Sequence, residues 1–116
     1  MKNVKMPTSD SWLDALIESL KDPEEAAAYI EAVLEEKEPE FELLKLSLKD
    51  VIDARVRMNA LSDEAKLHYE KLDKILSETG GAEIYALVEL LDALGFRIAI
   101  ASKAVAETVA IAKTMD

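Results

Sequence analysis

The stretch DPEEAAAYIEAVLEE, residues 22–36, contains the sharpest helix start in the sequence. Asp22 is suited to cap the first free amides, and Pro23 to the first helical position, where its missing N–H costs nothing. Glu25 completes a capping-box spacing with Asp22. The sequence therefore predicts an amphipathic helix that starts at Asp22. Its buried face consists of apolar residues at helical spacing: Ala26, Ile30, Val33 and Leu34.

Helical patterns also lie on both sides of this segment. A first helix is predicted to start near Ser9 or Ser11 and to end at Lys21, where a cation suits the negative end of the helix dipole. Its inward stripe is Trp12, Leu13, Leu16, Ile17 and Leu20. A third helix is predicted from Glu38-Pro39 to about Arg55. Its inward residues are Phe41, Leu44, Leu48, Val51 and Ile52.

The second half of the chain predicts two short helices of about eight residues with a tight joint, flanked by longer helices, which is the layout of a helix-turn-helix. Asn59 is expected to cap the first of them, and Gly80-Gly81 to end the second. Residues predicted to be buried in the pair are Leu61, Ala65, Leu72, Ile75 and Leu76. A sixth helix is predicted from about Ala82 to a left-handed stop at Gly95. Its predicted inward residues are Leu87, Leu90, Leu91 and Leu94.

The C-terminal tail gives weaker signals. Residues 96–100 alternate like a short strand, and residues 103–113 resemble an Ala-rich last helix. The predicted fold class is therefore all-α, with a possible short strand or helix at the end. We expect a single domain over residues 1–116. It is divided into an N-terminal helical pair (9–37), a helix-turn-helix core (39–95) and the tail (96–116).

Composition narrows the classes of function. The chain has 116 residues, no cysteine, one histidine and a formal net charge of −10. The absence of cysteine excludes disulfides and thiolate sites, and one histidine excludes a multi-histidine metal site within the chain. No constellation of residues supports an enzyme, and we expect no catalytic residue, no cofactor and no metal. The acidic field repels nucleic acid and favours a basic partner.

Neither an export signal nor a membrane span is predicted. The start of the chain, residues 1–7, is followed by polar residues rather than by an apolar run. The most apolar stretch, residues 98–112, is interrupted by Lys103 and Glu107 and is too short to cross a bilayer. The expected location is the cytoplasm, without a membrane partner.

The segment at residues 22–36 resembles the opening of addiction-module antidote (antitoxin) proteins, a family with a lambda-repressor-like helix-turn-helix. The resemblance covers roughly residues 9–100, and from Met58 to Phe96 it needs no gap. The later matching positions are Asp50-Val51, Ala54-Arg55, Met58, Leu61, Leu67, Glu70, Leu72, Lys74, Leu76, Ser77, Glu78, Gly80, Leu87, Leu91 and Ala93-Leu94-Gly95.

The resemblance implies a transcriptional regulator of a toxin–antidote module. Such a protein binds a cognate toxin, neutralises it sterically, and binds its own promoter DNA as a homodimer. The helix from about Leu67 to Ser77 would then enter the major groove. The implied DNA-binding residues are Lys66, His68, Tyr69, Glu70, Lys71 and Lys74. The homodimer contact is expected in the tail, whose apolar residues are Phe96, Ile98, Ile100, Val105, Val109 and Ile111.

The sequence departs from the family pattern where DNA recognition would lie. Lys66 stands at the joint, where the family has glycine, and Leu67-His68-Tyr69-Glu70 replaces the usual Leu-Ser-Arg-Glu. The capping serine and the DNA-facing arginine are therefore both missing. These departures leave open an alternative function, a degenerate helix-turn-helix retained as a protein–protein interaction module without DNA binding.

Three other features have a structural and a functional interpretation. Trp12 is interpreted as a core anchor rather than a ligand platform. His68, four residues after Glu64, is interpreted as a helix-start or interface histidine rather than as part of a metal site. An acidic run consists of Glu31, Glu35, Glu36, Glu38, Glu40 and Glu42. It is interpreted as a solvated face, with a docking surface for a basic toxin as the alternative.

Overall fold

The described part of the protein is built only of helices. In a computed structural model, residues 9–103 are described, and they form five α-helices and no strand. The helices are α1 (Ser9–Ser19), α2 (Pro23–Leu34), α3 (Leu43–Arg57), α4 (Asp63–Thr79) and α5 (Ala82–Ala93). The all-α prediction is confirmed. The helix predicted over residues 103–113 lies almost wholly outside the described residues.

Helix α2 begins where its capping residues predict. Asp22 has extended backbone angles, and its carboxylate accepts a hydrogen bond from the Glu24 N–H at 2.9 Å. Pro23 occupies the first helical position. Of the predicted inward residues, Ala26, Val33 and Leu34 are buried.

Helix α3 lies at the centre, because α1, α2 and α4 all pack against it. One buried cluster joins α1, α2 and α3 through Ile17, Leu20, Ala26 and Ala54. A second joins α2, α3 and α4 through Val33, Leu34, Leu44 and Leu76, with partly buried residues of α5 against it. Arg57 also ties the end of α3 to α1, with ion pairs of 2.9 Å to Asp14 and 2.8 Å to Glu18.

The prediction of two short helices on either side of Lys66 is wrong. Helix α4 is continuous, and the Lys66 N–H donates to the Ser62 carbonyl at 3.0 Å as part of its first turn. Ser62 caps this helix, accepting from the Ala65 N–H at 3.0 Å. Asn59 caps nothing, since its φ of 53° places it in the left-handed turn that follows α3. Because neither glycine nor proline occurs between Ser62 and Gly80, nothing interrupts the helix.

Gly80 ends α4 in the left-handed conformation, with φ 66°. A Cβ at this position would lie 2.8 Å from the Phe41 carbonyl oxygen, so the close approach of the chain before α3 also requires glycine. Phe41 itself is 58% exposed, and Trp12 is 63% exposed. Their predicted burial is wrong, because both side chains line an open groove beside α3 instead of the closed core.

The predicted orientation of α5 is also wrong. Its core side consists of Ile84, Tyr85 and Val88, whereas three of the leucines predicted to be inward, Leu87, Leu90 and Leu94, are exposed. Glycine at position 95 does adopt the predicted left-handed stop, with φ 91°. Beyond it the chain forms no strand within the described residues.

The segment Phe96–Ile100 instead packs back on α2 and α5. Ile98 and Ile100 lie against the second cluster, and the Ile100 N–H donates to a Glu31 carboxylate oxygen at 2.9 Å. This hydrogen bond is made to a side chain, and the described residues contain no strand with which the segment could pair. None of the helices in the described range is long and apolar enough to cross a membrane.

Candidate functional site

The six residues predicted to bind DNA all lie on helix α4. The side chains of Lys66, His68, Glu70, Lys71 and Lys74 are exposed, whereas Tyr69 is half-buried toward α3. Burial, followed by the nearby Asp73 carboxylate, raises the pKa of Tyr69 above its ordinary value. The structure therefore presents five of the six to solvent on one helix and turns the sixth inward.

Helix α4 has an acidic character that opposes phosphate binding. Its first turn carries Asp63 and Glu64, at the end that would have to reach bases. Along its length it contains five carboxylates against three lysines. No cluster of three or more potential metal ligands occurs among the residues that the structure describes, and the pair Glu64 and His68 has no third partner there.

An apolar face on the outer side of α5 is the largest departure from expectation. We call it the α5 leucine face, and it comprises Leu87, Leu90, Leu91 and Leu94. Leu87, Leu90 and Leu94 are 52%, 55% and 60% exposed, and Leu91 is partly buried. Their spacing places them on one stripe of the helix. Glu83 is the charged residue on that side, whereas Glu89 and Asp92 lie toward α2.

A groove of about 720 Å³ lies on the other side of α5. Its walls are the C-terminal end of α2, one side of α5 and the segment after Gly95, and we call it the α2–α5 groove. Leu34, Tyr85 and Val88 provide its apolar lining. The Tyr85 hydroxyl donates to the Val33 carbonyl at 3.0 Å, which fixes α5 against the end of α2.

The rim of the α2–α5 groove is acidic. Four carboxylates line it: Glu35, Glu36, Glu89 and Asp92. Burial and the Glu36 carboxylate together raise the pKa of Tyr85, so this anion acts on the groove interior. Lys37, which also lines the groove, has its ammonium group 4.0 Å from the Asp92 carboxylate, and both side chains are mostly exposed. A pair of that kind contributes little stability.

A second groove, of about 700 Å³, lies beside the first half of α3. Trp12, Phe41 and Leu46 line it, and at its edge the Tyr29 hydroxyl donates to Asp50 at 2.9 Å. Burial is the largest cause of a raised pKa at Tyr29; the hydrogen bond with Ser47 opposes this shift and Asp50 adds to it. Because Trp12 lines this open groove, its interpretation as a core anchor is wrong.

The acidic run does not form one solvated face. The Glu31 side chain is only 23% exposed. Its carboxylate accepts a hydrogen bond from the Ile100 N–H and lies 3.8 Å from the Arg97 guanidinium. Glu35 and Glu36 line the α2–α5 groove, Glu40 and Glu42 line the groove beside α3, and Glu38 is exposed elsewhere. Four of the six residues are thus divided between the two grooves.

Comparison of the chain with family models, curated proteins and solved structures finds no match in any of the three.

Proposed function

We propose that the protein is an antidote-type interaction module, which binds a cognate toxin protein and does not act mainly by reading DNA. The observation that carries this is the acidic character of helix α4, which has five carboxylates against three lysines, since this charge opposes phosphate binding and favours a basic protein partner. Steric occupation of the toxin requires no catalytic residue. The sequence resemblance to antidote proteins supports the class of partner.

The α5 leucine face supports a homodimer, with a second copy of the chain as its occupant, because a small monomer rarely leaves a contiguous apolar stripe of this kind uncovered. A single stripe of leucines is complementary to itself across a two-fold axis, as an isologous interface requires. Glu83 is the charged residue of α5 on this side, so each chain brings one carboxylate of this helix to the contact. We therefore propose the contact on α5. Of the tail residues expected to form it, Ile98 and Ile100 are partly buried against the second cluster and Phe96 is exposed, whereas Val105, Val109 and Ile111 lie outside the described residues.

The function is tested with the reading frame adjacent to this one. Expression of that neighbour alone should arrest growth, and co-expression of this protein should relieve the arrest and yield a purified complex of the two chains. The control is co-expression of a variant with Leu76→Ala, which weakens the core of the same protein. A neighbour that neither arrests growth nor forms a complex would contradict the antidote proposal.

DNA binding is a second candidate function, because Lys66, Lys71 and Lys74 are all exposed on the Ser62-capped helix α4. Three phosphate contacts imply a slope of log affinity against log salt of about 3 per protomer. We expect weak binding that is lost at physiological salt, because carboxylates lie among these lysines. In Lys66→Ala/Lys74→Ala the slope should fall by about 2 per protomer.

A mobility-shift titration of the native promoter at several salt concentrations measures this slope. Tight binding that is unchanged in the double variant would show that another surface reads DNA. Failure to bind at any salt concentration, with or without a partner protein, would leave only the interaction module.

A further inference from the structure

We propose that the α2–α5 groove binds a basic amphipathic segment of the partner protein, with its apolar side chains in the groove and its lysines or arginines on the rim. The inference rests on the proposed function and specifies the chemistry of the partner and the surface that binds it.

The size and lining of the groove fit several side chains of a peptide. Its volume of about 720 Å³ lies within the range of pockets that bind ligands. Leu34 and Val88 provide apolar contact inside, and the ring of Phe96, 61% exposed, stands at the wall. An exposed aromatic ring beside an apolar lining is a typical anchor point for a partner's side chain.

The charges at the rim select a cation. Glu35, Glu36 and Glu89 form no ion pair within the part of the chain that the structure describes. Both α2 and α5 end at this groove, and neither has a basic residue in its last turn. The negative ends of two helix dipoles are therefore added to the carboxylates. Nucleic acid and anionic lipid are repelled by the same charges.

The groove's own cations do not satisfy this rim. Lys37 reaches Asp92 only at 4.0 Å in an exposed pair, and Arg97 faces Glu31 at 3.8 Å. An incoming lysine or arginine can therefore displace Lys37 from Asp92 at little cost. The α5 leucine face lies on the other side of the helix, so a dimer formed through that face leaves the groove open.

The test uses the full chain and three labelled synthetic peptides, followed by fluorescence anisotropy at several salt concentrations. The first peptide carries lysine and leucine at amphipathic helical spacing, the second has glutamate in place of lysine, and the third has the first composition in scrambled order. We expect only the first to bind well, and its affinity to fall as salt rises.

Two matched charge variants locate the contact. Glu36→Lys/Glu89→Lys alters the groove rim, and Glu64→Lys/Glu78→Lys makes the same change of net charge on exposed positions of α4. The rim variant should lose about tenfold more affinity than the α4 variant, because close charge pairs contribute more than the field of the whole chain. Phe96→Ser, which changes no charge, should weaken binding about fivefold.

Equal losses in the two charge variants would overturn the proposal, since the peptide would then follow net charge alone. Equal binding of the scrambled peptide, or preference for the glutamate peptide, would also overturn it. A protein that relieves growth arrest but does not bind the first peptide would refute the groove and leave the proposed function in place. Binding of the first peptide by a protein that does not relieve growth arrest would refute the proposed function and leave the groove proposal in place.

Discussion

Replacing Leu76 by Ala is expected to lower the free energy of unfolding by about 3–4 kcal/mol, near the middle of the range for buried leucines. Leu76 is 2% exposed and lies where α2, α3 and α4 meet, with α5 packed beside it. Truncation therefore leaves a cavity that four helices border. A domain of this size has a total stability of only about 5–15 kcal/mol, so the loss is a large part of it.

Leu67→Ala is the matched control, because Leu67 lies on the same helix and is 50% exposed. Its cost should stay within about 0.5 kcal/mol. Guanidinium denaturation followed by circular dichroism, at one fixed protein concentration, measures both variants. A difference between them smaller than about 0.5 kcal/mol would mean that the second cluster is not the core of the fold.

The helix ends were predictable where a specific side chain fixes them. Asp22-Pro23 determines the start of α2, and Gly80 determines the left-handed end of α4, because each acts through local backbone chemistry. The break at Lys66 came from the family pattern instead. The local signals, a serine at position 62 followed by helix-forming residues, favour the single helix that the structure shows.

The orientation of α5 was not predictable from periodicity. This helix is apolar on two sides, with Ile84, Tyr85 and Val88 on one and the leucines on the other. A hydrophobic stripe indicates that a face is covered but not by which neighbour. The α2–α5 groove was hidden for a related reason, since Glu36 and Tyr85 are brought together only by the packing of distant helices.

Salt is expected to change self-association through the α5 leucine face and peptide binding in the α2–α5 groove in opposite directions. Contact between two chains of net charge −10 is opposed by their mutual repulsion, which salt screens. The dimer should therefore become tighter as salt rises, whereas peptide binding in the groove should become weaker. The two surfaces can thus be distinguished in the same buffer series.

Leu87→Lys/Leu94→Lys is expected to convert a dimer at tens of micromolar into a monomer, with a loss of affinity of at least about 100-fold, or about 2.7 kcal/mol. Each lysine would have to be desolvated in the two-fold interface, and Glu83, four residues before position 87, offers only one carboxylate per chain for the two cations. Both leucines are exposed in the single chain, so helix content should not change. The control, Leu67→Lys/Ile75→Lys, adds the same charge at similarly exposed positions of α4, where the predicted burial of Ile75 is wrong, and should remain dimeric. Because the added lysines reduce the net negative charge, dissociation cannot arise from stronger repulsion. Sedimentation velocity measures all three proteins, and a parent protein that is monomeric, or an α5 variant that stays dimeric, would refute this interface.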